Sequence, residues 1–293
     1  MAGNEQSQAR EQATEQSQAR EQSPAKEHSP AKRRAHMPEG TAKIINSRTL
    51  ETGFPRLAEL VAPGMRVLDV GCGSGAITRG IARRVQPSGY AVGVDVNERL
   101  IEEARRAHAG VPGLRFHLQD VYAMSFDKAF DLVTASRVLQ WLAEPARALE
   151  RMARAAVPGG RIAVLDYNHE KIEWRPEPPR SVRRFYDAFL KWREDAGMDN
   201  RIADRLPDIF ERAGLKQVQV TEQHEVARLG DPDFHEKARI WADVAASRGH
   251  QLVADGYIAE AERAEAERAL CAWVDEDATY QRLYLLAVEG ATP

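Results

Sequence analysis

The chain has 293 residues, 43% hydrophobic and 29% charged, with a formal net charge of −3. That balance describes an ordinary globular protein and provides no global basic field, which removes nucleic acid as a default partner. The longest apolar runs, Ile162 to Leu165 and Leu283 to Val288, are far too short to cross a bilayer, so no membrane partner is expected.

Residues 1–36 read differently from the rest. EQSQAREQ occurs at 5–12 and again at 15–22, SPAK occurs at 23–26 and at 29–32, and no Val, Ile, Leu, Phe, Trp or Tyr occurs before Ala35. Such a segment has too little apolar surface to offset its ordering entropy, so it reads as a disordered low-complexity tail ahead of a single domain at 37–293. The basic run Lys32-Arg33-Arg34 stands as a contact for nucleic acid or membrane, or as a solvated stretch of that tail. The polar N-terminus has no apolar core of a secretory signal. Cys72 lies in a glycine loop, where pairing with Cys271 is not expected; both features suit a cytoplasmic protein.

From about Lys43 apolar bursts alternate with helical stretches. The bursts are Arg66–Val70, Ala91–Val94, Leu114–Leu118, Phe130–Ala135 and Arg161–Leu165; helices are predicted at Ala76–Val85, Glu98–Ala109 and Pro145–Ala156. Short Val/Ile/Leu runs separated by helices indicate an α/β, doubly wound, Rossmann-like and mostly parallel sheet. Turn signals fall between them, at Pro63-Gly64, Pro87-Ser88-Gly89, Pro112-Gly113 and Pro158-Gly159-Gly160. Beyond the fifth strand come helices at Pro176–Ala196 and Arg201–Ala213, a long sixth strand at Lys216–Leu229, a helical excursion from 232 to 273, and a last strand at Tyr280–Glu289. Helical covers are expected at about 170–205 and 232–273, over the sheet edge where ligands bind.

The strongest local signal is Val67-Leu68-Asp69-Val70-Gly71-Cys72-Gly73-Ser74-Gly75-Ala76. A buried strand enters a turn with alternate glycines and a helix follows, so backbone can approach a ligand beside free helix N–H groups. Taken alone, Gly71, Gly73 and Ala76 also satisfy the dinucleotide form G-x-G-x-x-[GA]. Three acids separate the readings. Asp69 precedes the glycines, where it would repel pyrophosphate and attract an ammonium. Asp95 closes the second strand, placed for ribose hydroxyls, and Asp120 closes the third, placed for an adenine amino group. Each acid alone is as readily a helix cap. Together they suit a ligand with an ammonium, a ribose and an adenine but no phosphate, namely S-adenosylmethionine.

The chain resembles the class I S-adenosylmethionine-dependent methyltransferases, in particular those similar to ubiquinone/menaquinone-biosynthesis methyltransferases. The resemblance covers roughly Arg48 to Glu289, through the glycine loop, Val92-Gly93-Val94-Asp95, Asp120-Val121, Phe130–Ala135 and Val157-Pro158-Gly159-Gly160-Arg161. It implies seven strands with an antiparallel last strand inserted beside the sixth, Asp69 and Gly71 along the methionine portion, Asp95 at the ribose, and Asp120 with Val121 bracketing the adenine. The full cofactor set expected is Asp69, Gly71, Cys72, Gly73, Gly75, Asp95, Val96, Asp120, Val121, Ser136, Arg137 and Trp141. Ser74 stands where a proline is common in such loops.

The end of strand four, Ser136-Arg137-Val138-Leu139-Gln140-Trp141, should face cofactor and acceptor. Arg137 either holds an acidic acceptor or pairs with a neighbouring acid, and Trp141 is either a lining or a core residue. Asp166–Glu170 is expected as a loop after strand five, with Tyr167 and His169 as candidates for general base or orienting group. Plain surface loop residues are the alternative there. Phe185, Tyr186, Phe189 and Trp192 follow helical spacing, first a packing stripe and second a pocket wall. No metal is expected. The activity implied is methyl transfer to a small-molecule acceptor. RNA- or protein-directed methylation would need a basic apron, an NAD-dependent oxidoreductase would need a catalytic pair that is not evident, and a binding protein without chemistry is the fourth reading.

Overall fold

The computed structural model describes residues 30–38 and 48–293. Nine of its elements form the doubly wound half: β1 (Arg66–Val70), α4 (Ala76–Arg84), β2 (Tyr90–Asp95), α5 (Glu98–Ala107), β3 (Leu114–Leu118), β4 (Phe130–Ser136), α6 (Pro145–Ala155), β5 (Ala156–Arg175) and α8 (Ile202–Arg212), with α1 (Pro30–Ala35), α2 (Leu50–Gly53) and α3 (Pro55–Leu60) ahead of β1. Before α8 comes α7 (Arg180–Glu194). After it follow β6 (Lys216–Glu222), β7 (Glu225–Arg228), α9 (Phe234–Ala238), α10 (Ile240–Ala246), α11 (Gly249–Ala254), α12 (Glu260–Glu276) and β8 (Tyr280–Ala291).

The sheet order is β3-β2-β1-β4-β5-β8-β6, with β7 also on β8. β1 to β5 run parallel, and β8 is antiparallel to β5, β6 and β7. The sheet is thus the expected mostly parallel one, its antiparallel strand lying beside the sixth. The reversal of order at β1 and β4 opens a crevice at their carboxyl ends, the place where such sheets bind ligands. Val67, Leu68, Leu132, Val133, Ile162 and Val164 are fully buried because helices cover both faces. Among the described residues no helix is long and apolar enough to cross a membrane.

Three sequence expectations change. The sixth strand is not continuous: it breaks after Glu222 and resumes as β7, and this break delivers Glu225 to the sheet edge. Asp166–Glu170 is not a loop, because β5 runs on to Arg175, pairing Asp166, Tyr167 and Asn168 with Leu286, Leu285 and Tyr284. A polar stretch reads as a loop when periodicity is the only guide; here buried partners satisfy its side chains. Finally, much of the expected tail lies outside the described residues, but Pro30–Ala35 form a helix docked on the body.

The docking of α1 rests on charge rather than apolar area, which is why composition gave no sign of it. Arg34 is buried; its Nη1 donates to the Trp192 carbonyl, its Nε to Asp255 at 3.0 Å, and its guanidinium lies 5.2 Å from the Trp192 ring centre and 5.1 Å from that of Tyr257. Lys32 reaches Asp120 at 3.2 Å, and Arg33 binds Asp255. The basic run is therefore engaged by the protein's own acids. Arg34→Ala removes charged hydrogen bonds of about 1.5–3 kcal/mol each in type, and should lower the melting temperature by several degrees, at about 2–4 °C per kcal/mol for a chain of this size. An unchanged melting curve would return α1 to the status of a tail.

Candidate cofactor and acceptor site

A single cavity of about 1110 Å³ opens at the carboxyl ends of β1, β2 and β4 and runs under α7, α10 and α11. Ligand sites usually measure about 300–1,000 Å³, so this one has room for two ligands side by side.

Its first half is built by the glycine loop. Gly71, Gly73 and Gly75 have φ of +69, +54 and +79°. A Cβ at Gly71 would come within 2.4 Å of Val138 Cγ2, and one at Gly75 within 2.4 Å of Phe116 Cζ. Only glycine suits both the backbone and the space. Asp95 fastens this loop: its Oδ2 accepts the Gly73 N–H at 2.9 Å and its Oδ1 the Asn97 N–H at 2.8 Å. The cap of α5 is Asn97, not Asp95, so Asp95 is a cavity residue. Burial raises its carboxyl above the usual range, against three backbone N–H bonds that lower it. Asp120 does both things weighed for it: it caps the short 3₁₀ turn Val121–Ala123 and lines the cavity.

Of the expected cofactor set, Gly71, Gly73, Asp95, Val96, Asp120, Val121, Ser136, Arg137 and Trp141 line the cavity. Asp69, Cys72 and Gly75 stand behind that lining. Asp69 is 3% exposed and accepts the Thr78 hydroxyl at 2.6 Å. Burial pushes its carboxyl from 3.8 up to about 7, Asp95 adds to the rise, and Thr78 opposes it. Cys72 and Cys271 are free thiols.

The second half centres on a buried ion pair. Arg137, at φ +61°, gives its Nη2 to Glu225, its Nη1 to the Gly53 carbonyl and the Ser136 hydroxyl (2.8 Å each), and its Nε to the Tyr167 hydroxyl at 3.0 Å. Tyr167 in turn donates to Glu225 at 3.1 Å and accepts from Arg48 at 3.1 Å. Burial alone would raise Glu225, but Arg137 and Arg48 hold it below the usual range. Arg137 thus follows the ion-pair reading. Tyr167, whose proton is committed to Glu225 and whose phenol burial raises further, is a positioning residue.

His169 is 7% exposed, stacked on Tyr167 with ring centres 5.1 Å apart, and edge-on to Phe189 and Trp241. Its Nε2 lies 2.7 Å from Gln140 Oε1, while the Gln140 amide nitrogen donates to the Arg137 carbonyl at 3.2 Å. That orientation makes Oε1 the acceptor, so Nε2 carries the hydrogen and Nδ1 keeps its lone pair. Burial, then Arg193, holds the imidazole well below its ordinary value, hence neutral. Of the aromatic stripe on α7, Tyr186 and Phe189 line the cavity, while Phe185 and Trp192 pack behind. Composition and motif reading missed Arg48, Asn97, Tyr122, Arg147, Arg248, Ala31, Ala35, His36 and Met37, all lining residues. Only the position of Asn97, directly after Val96, could have signalled one.

A family profile described as a methyltransferase domain matches residues 62–214, more than half of the chain. The chain belongs to the class I S-adenosylmethionine-dependent methyltransferases. A second profile, protein-L-isoaspartate(D-aspartate) O-methyltransferase, matches residues 9–114. Among similar proteins, a trans-aconitate 2-methyltransferase of Methylobacterium nodulans is 40% identical over 131 residues, covering 42% of this chain and 49% of that protein. The ubiquinone/menaquinone biosynthesis C-methyltransferase UbiE of Burkholderia vietnamiensis is 31% identical over 182 residues, covering 54% and 70%. The matches span 26% to 55% of the first five curated relatives. Among solved structures, the YcgJ protein of Bacillus subtilis shares the fold with a TM-score of 0.53 at 16% identity, covering 81% of this chain and 97% of that one. The phosphoethanolamine N-methyltransferase 2 of Haemonchus contortus, in complex with S-adenosyl-L-methionine, does so at 0.52 and 17%, covering 88% and 54%.

The Asp69 geometry fixes the sign of a pH effect in this methyltransferase. Between about pH 4 and 7 the unfolded chain has lost the Asp69 proton and the folded chain has kept it, so stability falls as pH rises through that window. Asp69→Asn keeps an acceptor for Thr78 and has no charge to bury. In the absence of ligand its melting advantage over the parent should grow from pH 5 to pH 8; an advantage that does not grow contradicts the buried acid. Asp95→Ala should weaken S-adenosylhomocysteine binding by about 1.5–3 kcal/mol, the scale of a charged hydrogen bond, measured by calorimetry. Unchanged affinity removes Asp95 from the site.

Proposed function

We propose that this methyltransferase acts on a small-molecule acceptor held in the aromatic half of the cavity. The observation that carries the reading is the continuity of one cavity from the glycine loop and its acids to the pocket of His169, Phe189 and Trp241. A macromolecular acceptor would need an open basic apron; here helices roof the acceptor half, and Lys32, Arg33 and Arg34 are paired internally.

The residues present fit S-adenosylmethionine. Gly71 and Gly73 put bare backbone on the cavity wall beside the methionine chain, Asp95 lines the wall for the ribose hydroxyls, and Asp120 with Val121 bounds the adenine end. Arg48 is the cation for its carboxylate: Arg48 lies against Gly53, whose added Cβ would meet Arg48 Cβ at 3.0 Å and Ile77 of α4 at 3.2 Å, so it stands beside the start of the glycine-loop helix. When bound, the cofactor supplies an electrophilic methyl on a sulfonium. The protein's contribution is mainly to hold a nucleophile in line with it, an effect worth up to about 7–11 kcal/mol. His169 Nδ1, neutral and turned from Gln140, takes a proton from an acceptor O–H or N–H where one must leave, adding about 10²–10⁴-fold.

Calorimetric titration with S-adenosylmethionine, S-adenosylhomocysteine and NAD in parallel tests the cofactor half. Binding of the first two at micromolar concentration without NAD is the expected result; binding of NAD alone returns the glycine loop to its dinucleotide form.

A further inference from the structure

Five arginines are buried in the described structure. Three are neutralised: Arg34 by Asp255, Arg137 by Glu225, and Arg263 by Glu260 and Glu267. Arg193 and Arg248 are not. Arg193 donates to the Asn200 side chain and the Gln140 carbonyl, and its Nη1 is buried with no partner. Arg248 is 4% exposed and lines the cavity; it donates to the Arg34 carbonyl at 2.9 Å, the Gln251 side chain at 3.3 Å and the Met37 sulfur at 3.3 Å. The two guanidiniums share the Trp141 ring, at 4.6 and 4.0 Å from its centre. No described carboxylate pairs with Arg248, and the charge acting on it is the like charge of Arg193.

A buried cation beside a second cation, with a sulfur as one of its partners, is costly unless a ligand completes it. The Trp141 ring under Arg248 also lines the cavity, so the guanidinium sits at its wall. We propose that Arg248 forms an anion subsite for a carboxylate on the acceptor, whose flat apolar body packs against the rings of Phe189, Tyr186 and Trp241. This deepens the small-molecule reading and rests on it. The cofactor's own carboxylate is provided for by Arg48, which is held on the Tyr167 hydroxyl beside the Arg137–Glu225 pair. Arg193 acts from behind Trp141, by charge and not by contact.

The test uses the full chain with S-adenosylhomocysteine saturating, and trans-cinnamate against trans-cinnamamide as probes of equal shape. The carboxylate should bind about tenfold or more tighter than the amide, since a charged hydrogen bond exceeds the 1.4 kcal/mol of one decade. Arg248→Met should bring the ratio to about one with S-adenosylhomocysteine affinity unchanged, while Arg248→Lys keeps part of it and guards against a variant that fails to fold. A parent protein that binds neither probe or does not distinguish them, or an Arg248→Met that still distinguishes them, overturns the subsite. An Arg248→Met that loses S-adenosylhomocysteine affinity overturns it differently, giving the arginine to the cofactor. A parent that binds no S-adenosylhomocysteine fails the cofactor reading first, and this one with it.

Discussion

The buried pair of Arg137 and Glu225 is the constraint on which the rest of the site depends. It joins the end of β4, which belongs to the doubly wound half, to β7, which belongs to the late antiparallel part. Breaking one partner of such a pair leaves an uncompensated charge, at about 3–5 kcal/mol. The left-handed backbone of Arg137 is affordable only in that setting. Through Tyr167 and the Gly53 carbonyl the same pair fixes β5 and α2. The floor between the two halves of the cavity is therefore rigid, and in-line displacement needs rigidity more than it needs acid–base groups.

On one side of that floor the lining acids are Asp95 and Asp120, the latter held by Lys32; on the other the lining cation is Arg248, with Arg193 behind Trp141. The proposed ligands, a sulfonium cofactor and an anionic acceptor, suit that arrangement. The neutrality of His169 belongs to the same logic. With the ring buried and Arg193 nearby, a protonated imidazole is disfavoured, and the lone pair on Nδ1 survives at physiological pH.

Much of this was legible in sequence. The five parallel strands, the glycine loop and the three strand-end acids follow from period, turn residues and the chemistry of a phosphate-free nucleoside ligand, and the observed sheet order agrees. What escaped is polar. Glu225 reads as one more acid in a strand until the interruption of the strand after Glu222 turns it toward Arg137. Asp166 to Glu170 reads as a loop because its hydrophilic residues find partners that no local pattern shows. Asp69 reads as a cofactor ligand, yet the fold puts it behind the glycines on Thr78.

The N-terminal helix illustrates the same limit from another direction. Arguments from apolar content treat a segment without large hydrophobic residues as unable to dock, since nothing offsets its entropy. Here the offset comes from guanidinium groups: Arg34 lies between Trp192 and Tyr257 with Asp255 at its Nε, and stacking plus a charged bond replaces a hydrophobic face. The partners sit on α7, which with α10 roofs the acceptor half, and just beyond α11. Lys32, one turn away, meets Asp120 at the opposite end. One short basic helix thus touches both halves of the cavity wall, at Asp120 and at α7.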